Sequence, residues 1–475
     1  MSGAVFVVVG HVNRGKSSIV STLAADETVE IGTMPGTTRH VREYPMRVAD
    51  RVLYTLVDTP GFERARQVLA WLRERERATA DRHRLVREFL AEHRGSGRFR
   101  EECELLEPIL AGAAILYVVD GSVPFNPRYE AEMEILRWTG QPRMALINPI
   151  GSEDHIREWR TVLDQYFSLV RVFDAHGAGF EHRLQLLRSV RELNGVWWTD
   201  LDEAIAILEE DRRHNLRESA GVIADLLSDM LRHTEQRKLT PDAAPEPYRK
   251  TLSDRFYENL RRREEKARDA LGQIYAHTSL EVAQEDLGPV SDDLFDLSTW
   301  NRLGLSRGQL TAMATMTGAL VGGGVDVAAG GATFLLGALI GGAVGLASGL
   351  YAWDRLAEAR VLGQPLGGKL LQIGPMTNRN FPWVVLDRAL LYHEVIANQA
   401  HARRGVLALP ELDGGRGLVA GLDPSARRNI EDCFARLRKR PTAMAVDEIR
   451  RELAHWIAEV LEERDAGREG APLAP

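Results

Sequence analysis

Lysine is scarce in this chain, filling only six of the 60 lysine and arginine positions among 475 residues, at 16, 238, 250, 266, 369 and 439. Lys16 is therefore the only lysine in the first 237 residues. Cysteine is scarcer, with Cys103 and Cys433 far apart, which excludes a disulfide-stapled fold and fits a reducing cytoplasm. A leader is not expected: Met-Ser-Gly-Ala runs into Val5–Val9 without a basic region, so this apolar run reads as a buried strand. Thirteen histidines are scattered with no H-E-x-x-H and no Cys/His ligand spacing, which argues against a structural metal centre. The net charge of −8 gives no global nucleic-acid footprint. What is present, 44% hydrophobic and 27% charged residues, suits two or three globular domains and excludes a disordered or collagenous chain.

From residue 1 to 197, short apolar segments alternate with helical stretches, the pattern of an α/β domain with a parallel-rich sheet. Strands are expected at Val5–Val9, Val41–Val48, Val52–Asp58, Ala114–Asp120, Met144–Asn148 and Leu169–Phe173. The stretch between the third and fourth, about 63–107, is too long for an ordinary connection and reads as a helical insertion. Its many arginines and glutamates read as a solvated helix face rather than a nucleic-acid surface. Trp197-Trp198 marks the expected end of this domain, and residues 198–309 read as a helical linker or stalk, polar and helical in period over 198–280 and broken at Thr240–Tyr248.

One segment departs from the average. Leu310–Trp353 carries a single charge, Asp326, among many glycines and alanines. Its arms, Leu310–Val325 and Val327–Leu350, would be about 24 and 36 Å long as helices, and the second is long enough to span ~30 Å of hydrocarbon. Gly337, Gly341, Gly345 and Gly349 recur every four residues, which puts small residues on one helix face. A tight apolar helical hairpin over 310–353 is expected, either meeting a membrane or buried within a helical domain or against a second protomer. Residues 354–464 read as mainly helical, with an amphipathic stretch after Phe381-Pro382, and 465–475 as a disordered tail.

The chemistry concentrates near the N-terminus. Gly10-His11-Val12-Asn13-Arg14-Gly15-Lys16-Ser17 matches G-x-x-x-x-G-K-[ST], placed after a strand and before a helical run. Glycines let backbone N–H groups turn inward around phosphate oxygens, and the following helix adds its positive end. Lys16 would reach the β- and γ-phosphates, and Ser17 would offer its hydroxyl to Mg²⁺. Asp58-Thr59-Pro60-Gly61 closes a strand; Asp58 can hold Mg²⁺ through water, and the Gly61 N–H can approach a γ-phosphate because no side chain blocks it. Between the two motifs, Pro35-Gly36-Thr37-Thr38-Arg39 supplies the loop threonine needed to sense metal and γ-phosphate.

The segments GHVNRGKSS, MPGTTRHV and DTPGF resemble the first three motifs of the Era/TrmE-like GTPases of the translation-factor-related class. That resemblance implies GTP and GDP as ligands, with Gly10, Asn13, Arg14, Gly15, Lys16, Ser17 and Ser18 around the phosphates. It assigns Mg²⁺ to Ser17, Thr38 and Asp58, with Lys16, Thr38 and Gly61 acting in hydrolysis. Phe62 stands where Ras-like relatives carry a water-orienting glutamine, which implies a slow enzyme accelerated by a partner, a dimer or a cation. Asn13 occupies the position that holds K⁺ in several relatives, or it braces the loop. Base recognition departs from the pattern: Asn148-Pro149-Ile150-Gly151 replaces N-K-x-D, and Asp174-Ala175-His176 replaces S-A-K, leaving Asn148, Ala175 and His176 as base contacts. The missing carboxylate matters because charge-assisted bidentate bonds select guanine. NPIG, FDAH, the glycine-rich stretch and FPWVVLDRALLYHE also resemble a bacterial subgroup that fuses an Era-like domain to a C-terminal domain of unknown function, numbered three-four-eight-two.

The functional expectation is a cytoplasmic GTP-binding switch and Mg²⁺-dependent GTPase, reaching the inner face of the membrane or a protein partner through 310–353. The alternatives are a ribosome- or tRNA-associated GTPase and a nucleotide-binding scaffold without turnover.

Overall fold

The computed structural model describes residues 4–10, 16–24, 41–48, 51–95, 97–150, 154–174, 180–240, 243–275, 294–295, 346–353, 360–361, 364–365, 368–397 and 417–469. They fall into two compact units, one within Met1–Asp211 and one drawn from Arg212–Ala397 and Gly405–Arg468.

The first unit is built on a six-stranded sheet of β1 (Ala4–Gly10), β2 (Arg42–Val48), β3 (Arg51–Asp58), β4 (Ala114–Asp120), β5 (Arg143–Asn148) and β6 (Leu169–Val172). Their order is β2-β3-β1-β4-β5-β6, with β2 antiparallel to β3 and the other pairs parallel. Every strand lies within one residue of its expected limits, and β1, β3, β4 and β5 are the near-continuous apolar runs that buried parallel strands show. Helix α1 (Lys16–Ala24) follows β1. Between β3 and β4 lie α2 (Ala65–Arg75), α3 (Arg82–His93) and α4 (Arg100–Leu110). Helices α5 (Glu130–Trp138), α6 (Ile156–Leu163) and α7 (Phe180–Arg191) complete the alternation.

Each sheet face has its own core. Val7, Val57, Ile115 and Tyr117 pack with Val68, Leu72, Phe89, Phe99, Leu106 and Ile109 of the inserted helices. On the opposite face Phe6, Val8, Leu56 and Leu116 pack with Ile19, Val20, Leu184 and Trp197. Leu201, Ala204 and Ile205 join that second core, so the unit runs past the expected limit at 197 into helix α8 (Trp198–Arg232).

The second unit is mainly helical, with α9 (Glu246–Ile274) and three helices labelled α10 (Phe381–Ala397), α11 (Pro424–Arg438) and α12 (Ala443–Glu469). It also carries a three-stranded antiparallel sheet that the sequence pattern did not announce. Its order places β11 (Gly368–Met376) between β7 (Glu235–Leu239) and β8 (Leu346–Trp353), while β9 (Arg360–Val361) and β10 (Gln364–Pro365) form a small separate pair.

Three expectations are corrected here. Leu346–Trp353 is a strand, not the end of an apolar helix: Gly349 lies opposite Gln372 and Leu350 opposite Leu371. Glycine disfavours a helix by about 1 kcal/mol relative to alanine, and β11 provides backbone partners instead. The remainder of the expected hairpin, 310–345, lies outside the described residues. Helix α10 is not amphipathic but buried nearly all round. Its polar groups are paired inside: Arg388 Nε donates to Glu264 Oε1 at 2.7 Å, and the Tyr275 hydroxyl meets His393 Nε2 at 2.8 Å. Finally, α12 continues to Glu469, and Asp465 is fixed by Arg212 through contacts of 2.6 and 3.2 Å, so the expected tail begins several residues too early.

Candidate functional site

All the parallel strands point the same way, so their C-terminal ends share one edge, where ligands of open α/β sheets bind. Gly10, Asp58, Asp120 and Asn148 stand at that edge, with Val8 opposite Asp58 and Asp120 opposite Asn148. Gly10 has no substitute. Its φ is +155°, and a Cβ there would lie 2.3 Å from the Val118 carbonyl oxygen of the neighbouring strand.

Helix α1 opens on the phosphate-loop lysine, and Lys16 is only 7% exposed. Burial pushes its ammonium below the usual lysine range, while the charges of Asp58 and Glu132 pull it partly back. Ser17 follows, its hydroxyl donating to Asp58 Oδ2 at 3.0 Å. Two of the three expected metal ligands are thus brought together from positions 41 residues apart. A hydroxyl beside a carboxylate is a hard oxygen pair of the kind Mg²⁺ takes, so the residues fit the ion. Ser18 is buried on α1.

The stretch after Asp58 is held at both ends. Thr59 Oγ1 donates to the Val8 carbonyl at 2.8 Å and fastens the chain to β1. Gly61 is buried, and Phe62 enters the core with Val7, Val57, Val68 and Leu72. Helix α2 then starts without a side-chain cap of its own, since Arg64 occupies the N-cap. The cap comes from elsewhere: Glu102 Oε1 on α4 accepts the backbone N–H groups of Glu63 at 3.1 Å and Arg64 at 2.5 Å.

The far end of the edge is shaped by turns. Asp120 Oδ1 accepts from the Ser122 amide at 2.9 Å and its hydroxyl at 2.5 Å. Asn148 is fully buried, and its carbonyl accepts from the Gly121 and Ile150 amides at 2.8 and 3.0 Å. Asp154 is exposed in the turn before α6, and Asp174 is exposed after β6. Asn13, Arg14, Gly15, Thr38, Ala175 and His176 lie outside the described residues.

Two functional candidates escaped sequence reasoning, Glu102 and Glu132. Both are buried carboxylates on otherwise apolar helix faces, and Glu132 accepts from the Tyr117 hydroxyl at 2.9 Å. The available signal was a glutamate inside an apolar stripe: Glu102 lies beside Cys103, Leu105, Leu106 and Ile109 on the buried side of α4. A buried carboxylate needs donors, and that stripe foretold them.

A sheet edge with a phosphate-loop lysine, a serine–aspartate pair and a DTPG segment defines the P-loop GTPase class. A profile for "50S ribosome-binding GTPase" matches residues 5–148, so the N-terminal part is a GTPase domain, similar over about 60 residues to Der and MnmE. The chain belongs to the family described as "Domain of unknown function (DUF3482)", whose profile matches residues 160–459. Similar curated proteins include GTPase Der of Herminiimonas arsenicoxydans, 44% identical over 61 residues, and tRNA modification GTPase MnmE of Pseudothermotoga lettingae, 38% identical over 60. Each match covers 13% of this chain, and the chain spans only 13% of either relative's length. A crystal structure of Aquifex aeolicus Era bound to GDP·AlF4⁻ is 16% identical, covering 58% of this chain and 90% of that one, with a TM-score of 0.25.

Proposed function

We propose that this protein is a GTP-binding switch and a slow, Mg²⁺-dependent GTPase, and that the Ser17–Asp58 contact beside buried Lys16 is the observation that supports this most directly. Lys16 brings a poorly solvated ammonium to the β- and γ-phosphates, where low local dielectric makes each charge worth more than in water. Ser17, Asp58 and Thr38 would hold Mg²⁺, which when bound neutralises charge on the phosphate oxygens. Gly61 presents a backbone N–H to the γ-phosphate. Asn13, Arg14, Gly15 and Ser18 complete the phosphate cradle, and Asn148, Ala175 and His176 are the base contacts.

Slow turnover is supported by Phe62. Its side chain is buried in the core and apolar, so this position offers no group to polarise an attacking water. That function would come from K⁺ at Asn13, from a second copy of the chain or from a protein partner. The glycine spacing of 310–345 favours a lipid- or partner-facing surface there, although no helix among the described residues is long and apolar enough to cross a membrane. Liposome flotation with and without that segment tests it.

The deciding measurement is affinity for labelled GDP against ADP, with Lys16→Ala as control. Tight GDP binding that Lys16→Ala abolishes is expected; equal or better ADP binding would remove the guanine assignment. A second reading, association with ribosomes or tRNA, is favoured by the printed roles of the matching profile and of MnmE, and predicts salt-sensitive co-sedimentation with ribosomes. Single-turnover assays separate both from a scaffold that binds without hydrolysing.

A further inference from the structure

The helices inserted between β3 and β4 are bound to the γ-phosphate-sensing segment itself. Four interactions join residues 63–67 to residues 98–102. Glu102 Oε1 accepts the Glu63 and Arg64 amides at 3.1 and 2.5 Å, the Arg64 guanidinium donates to the Arg98 carbonyl, and Arg98 donates to Gln67 Oε1 at 3.3 Å. Glu102 is fully buried, and the N-cap residue of α2, Arg64, makes no side-chain cap bond of its own. Upstream of Gly61, Thr59 is fastened to β1; downstream, Phe62 is locked in the core. Gly61 therefore sits on a short span whose far end depends on α4.

On this basis we infer that Glu102 is a positioning residue for the triphosphate state, holding the Gly61 N–H where a γ-phosphate meets it and coupling its movement to the inserted helices. The inference rests on the nucleotide reading above and deepens it. The amides that Glu102 fixes are those of Glu63 and of Arg64, the N-cap residue immediately before α2, and their acceptor comes from another helix, so the entry into α2 is set by α4. On the nucleotide reading a diphosphate would end before Gly61 and a triphosphate would reach it, so the strap would act on the difference between the two.

The test uses the full chain and the ratio of affinities for a non-hydrolysable GTP analogue and for GDP, with turnover measured alongside. Glu102→Ala is expected to weaken the analogue about tenfold or more while GDP stays within about twofold, and to lower kcat. Glu102→Gln keeps a carbonyl acceptor and is expected to restore most of the ratio. If Glu102→Ala fails to fold, Arg64→Ala serves instead, because this exposed side chain can be removed without opening the core. It is expected to shift the ratio in the same direction by a smaller factor. Equal losses for both nucleotides, or an unchanged ratio in every folded variant, would overturn the positioning role. An ATP-analogue and ADP pair is run in parallel, since the γ-phosphate contrast does not depend on the base. Wild-type binding only to the adenine pair would overturn the guanine assignment but leave the strap testable, and binding to neither pair would overturn both.

Discussion

Ser17 Oγ lies 3.0 Å from Asp58 Oδ2, joining the first turn of the helix after the phosphate loop to the last residue of β3. The register of β1 against β3 makes this possible, because Val8 opposite Asp58 brings the end of β3 level with the start of the loop.

If this pair holds Mg²⁺, Ser17→Ala and Asp58→Asn should remove the metal-dependent part of nucleotide affinity and spare the rest. Loss of even a ligand's supporting partner costs on the order of 10–100-fold in metal affinity, so loss of a ligand itself should cost at least that much. Titrating GDP and a GTP analogue in Mg²⁺ and in EDTA checks this, with the variants expected to match wild type in EDTA. A variant with the full Mg²⁺ enhancement would show that the pair only braces the site.

Lys16 should be a liability to the empty protein. Its ammonium is pushed below the usual lysine range by burial, despite the opposing charges of Asp58 and Glu132. The charged form is thus less favourable in the folded state than in water, and removing it relieves that cost. Lys16→Met, of similar length and uncharged, should leave the nucleotide-free thermal midpoint unchanged or higher while abolishing nucleotide binding. Lys16→Arg should also fail to bind, because a planar fork does not replace a compact ammonium in a tight phosphate loop. Calorimetry without nucleotide settles the first point; a lowered midpoint for Lys16→Met would mean that Asp58 and Glu132 outweigh the burial cost.

A second buried charge gives the protein a pH dependence. Asp387 on α10 is 3% exposed, accepts the Val419 amide at 3.0 Å, and presses on Gly417, where a Cβ would collide with its carboxylate. Burial raises its pKa from 3.8 to about 6, against the lowering effects of the Val419 and Leu418 amides and Arg464. The folded state then binds the proton more tightly than the unfolded state between about pH 4 and 6. Stability from this group therefore falls as pH rises through that window, by up to roughly 3 kcal/mol at ~1.4 kcal/mol per pKa unit. Asp387→Asn retains an acceptor for Val419 and should stabilise the protein at pH 7 but not at pH 4. Denaturant midpoints at both pH values check it, and an equal gain at both would assign the effect to packing instead.

What the sequence disclosed and what it hid have different physical origins. Strands β1, β3, β4 and β5 were readable because a buried parallel strand is a continuous apolar run with nothing else to resemble. Lys16, Ser17 and Asp58 stood out in the sequence because a phosphate loop and a DTPG segment prescribe residue type and spacing, and the fold brings Ser17 and Asp58 into contact. Strand β7, by contrast, is a polar Glu-Gln-Arg-Lys-Leu run, and β8 is rich in glycine and alanine. Neither shows clean alternation, and their strand character comes from pairing with β11, which is more than 120 residues from β7. Helix α10 misled for a related reason. Its Asp387, Arg388 and His393 look like a solvated face until Val419, Glu264 and Tyr275 are in place around them. Glu102 was hidden in the same way, since its partners are backbone amides 38 and 39 residues earlier. Local chemistry is written locally; polar groups satisfied across the fold are not.

The cluster around Glu264 tests that last point energetically. Its Oε1 receives Arg388 Nε at 2.7 Å and Arg268 Nη2 at 2.9 Å, and the Arg388 side chain is only 2% exposed. Burial alone would raise the carboxyl pKa, yet the two guanidiniums hold it below the usual glutamate range, so Glu264 stays ionised. Breaking such a pair from one side leaves a buried charge with less compensation, at a typical cost of about 3–5 kcal/mol, whereas replacing both partners by apolar groups is often neutral. Arg388→Met and Glu264→Leu should each be strongly destabilising to the helical unit, with Arg268 softening the first by remaining beside the carboxylate. The double variant should recover most of the loss. A double-mutant cycle followed by urea unfolding measures the coupling. Additive losses in the double variant would show that the two side chains contribute through their packing rather than through each other.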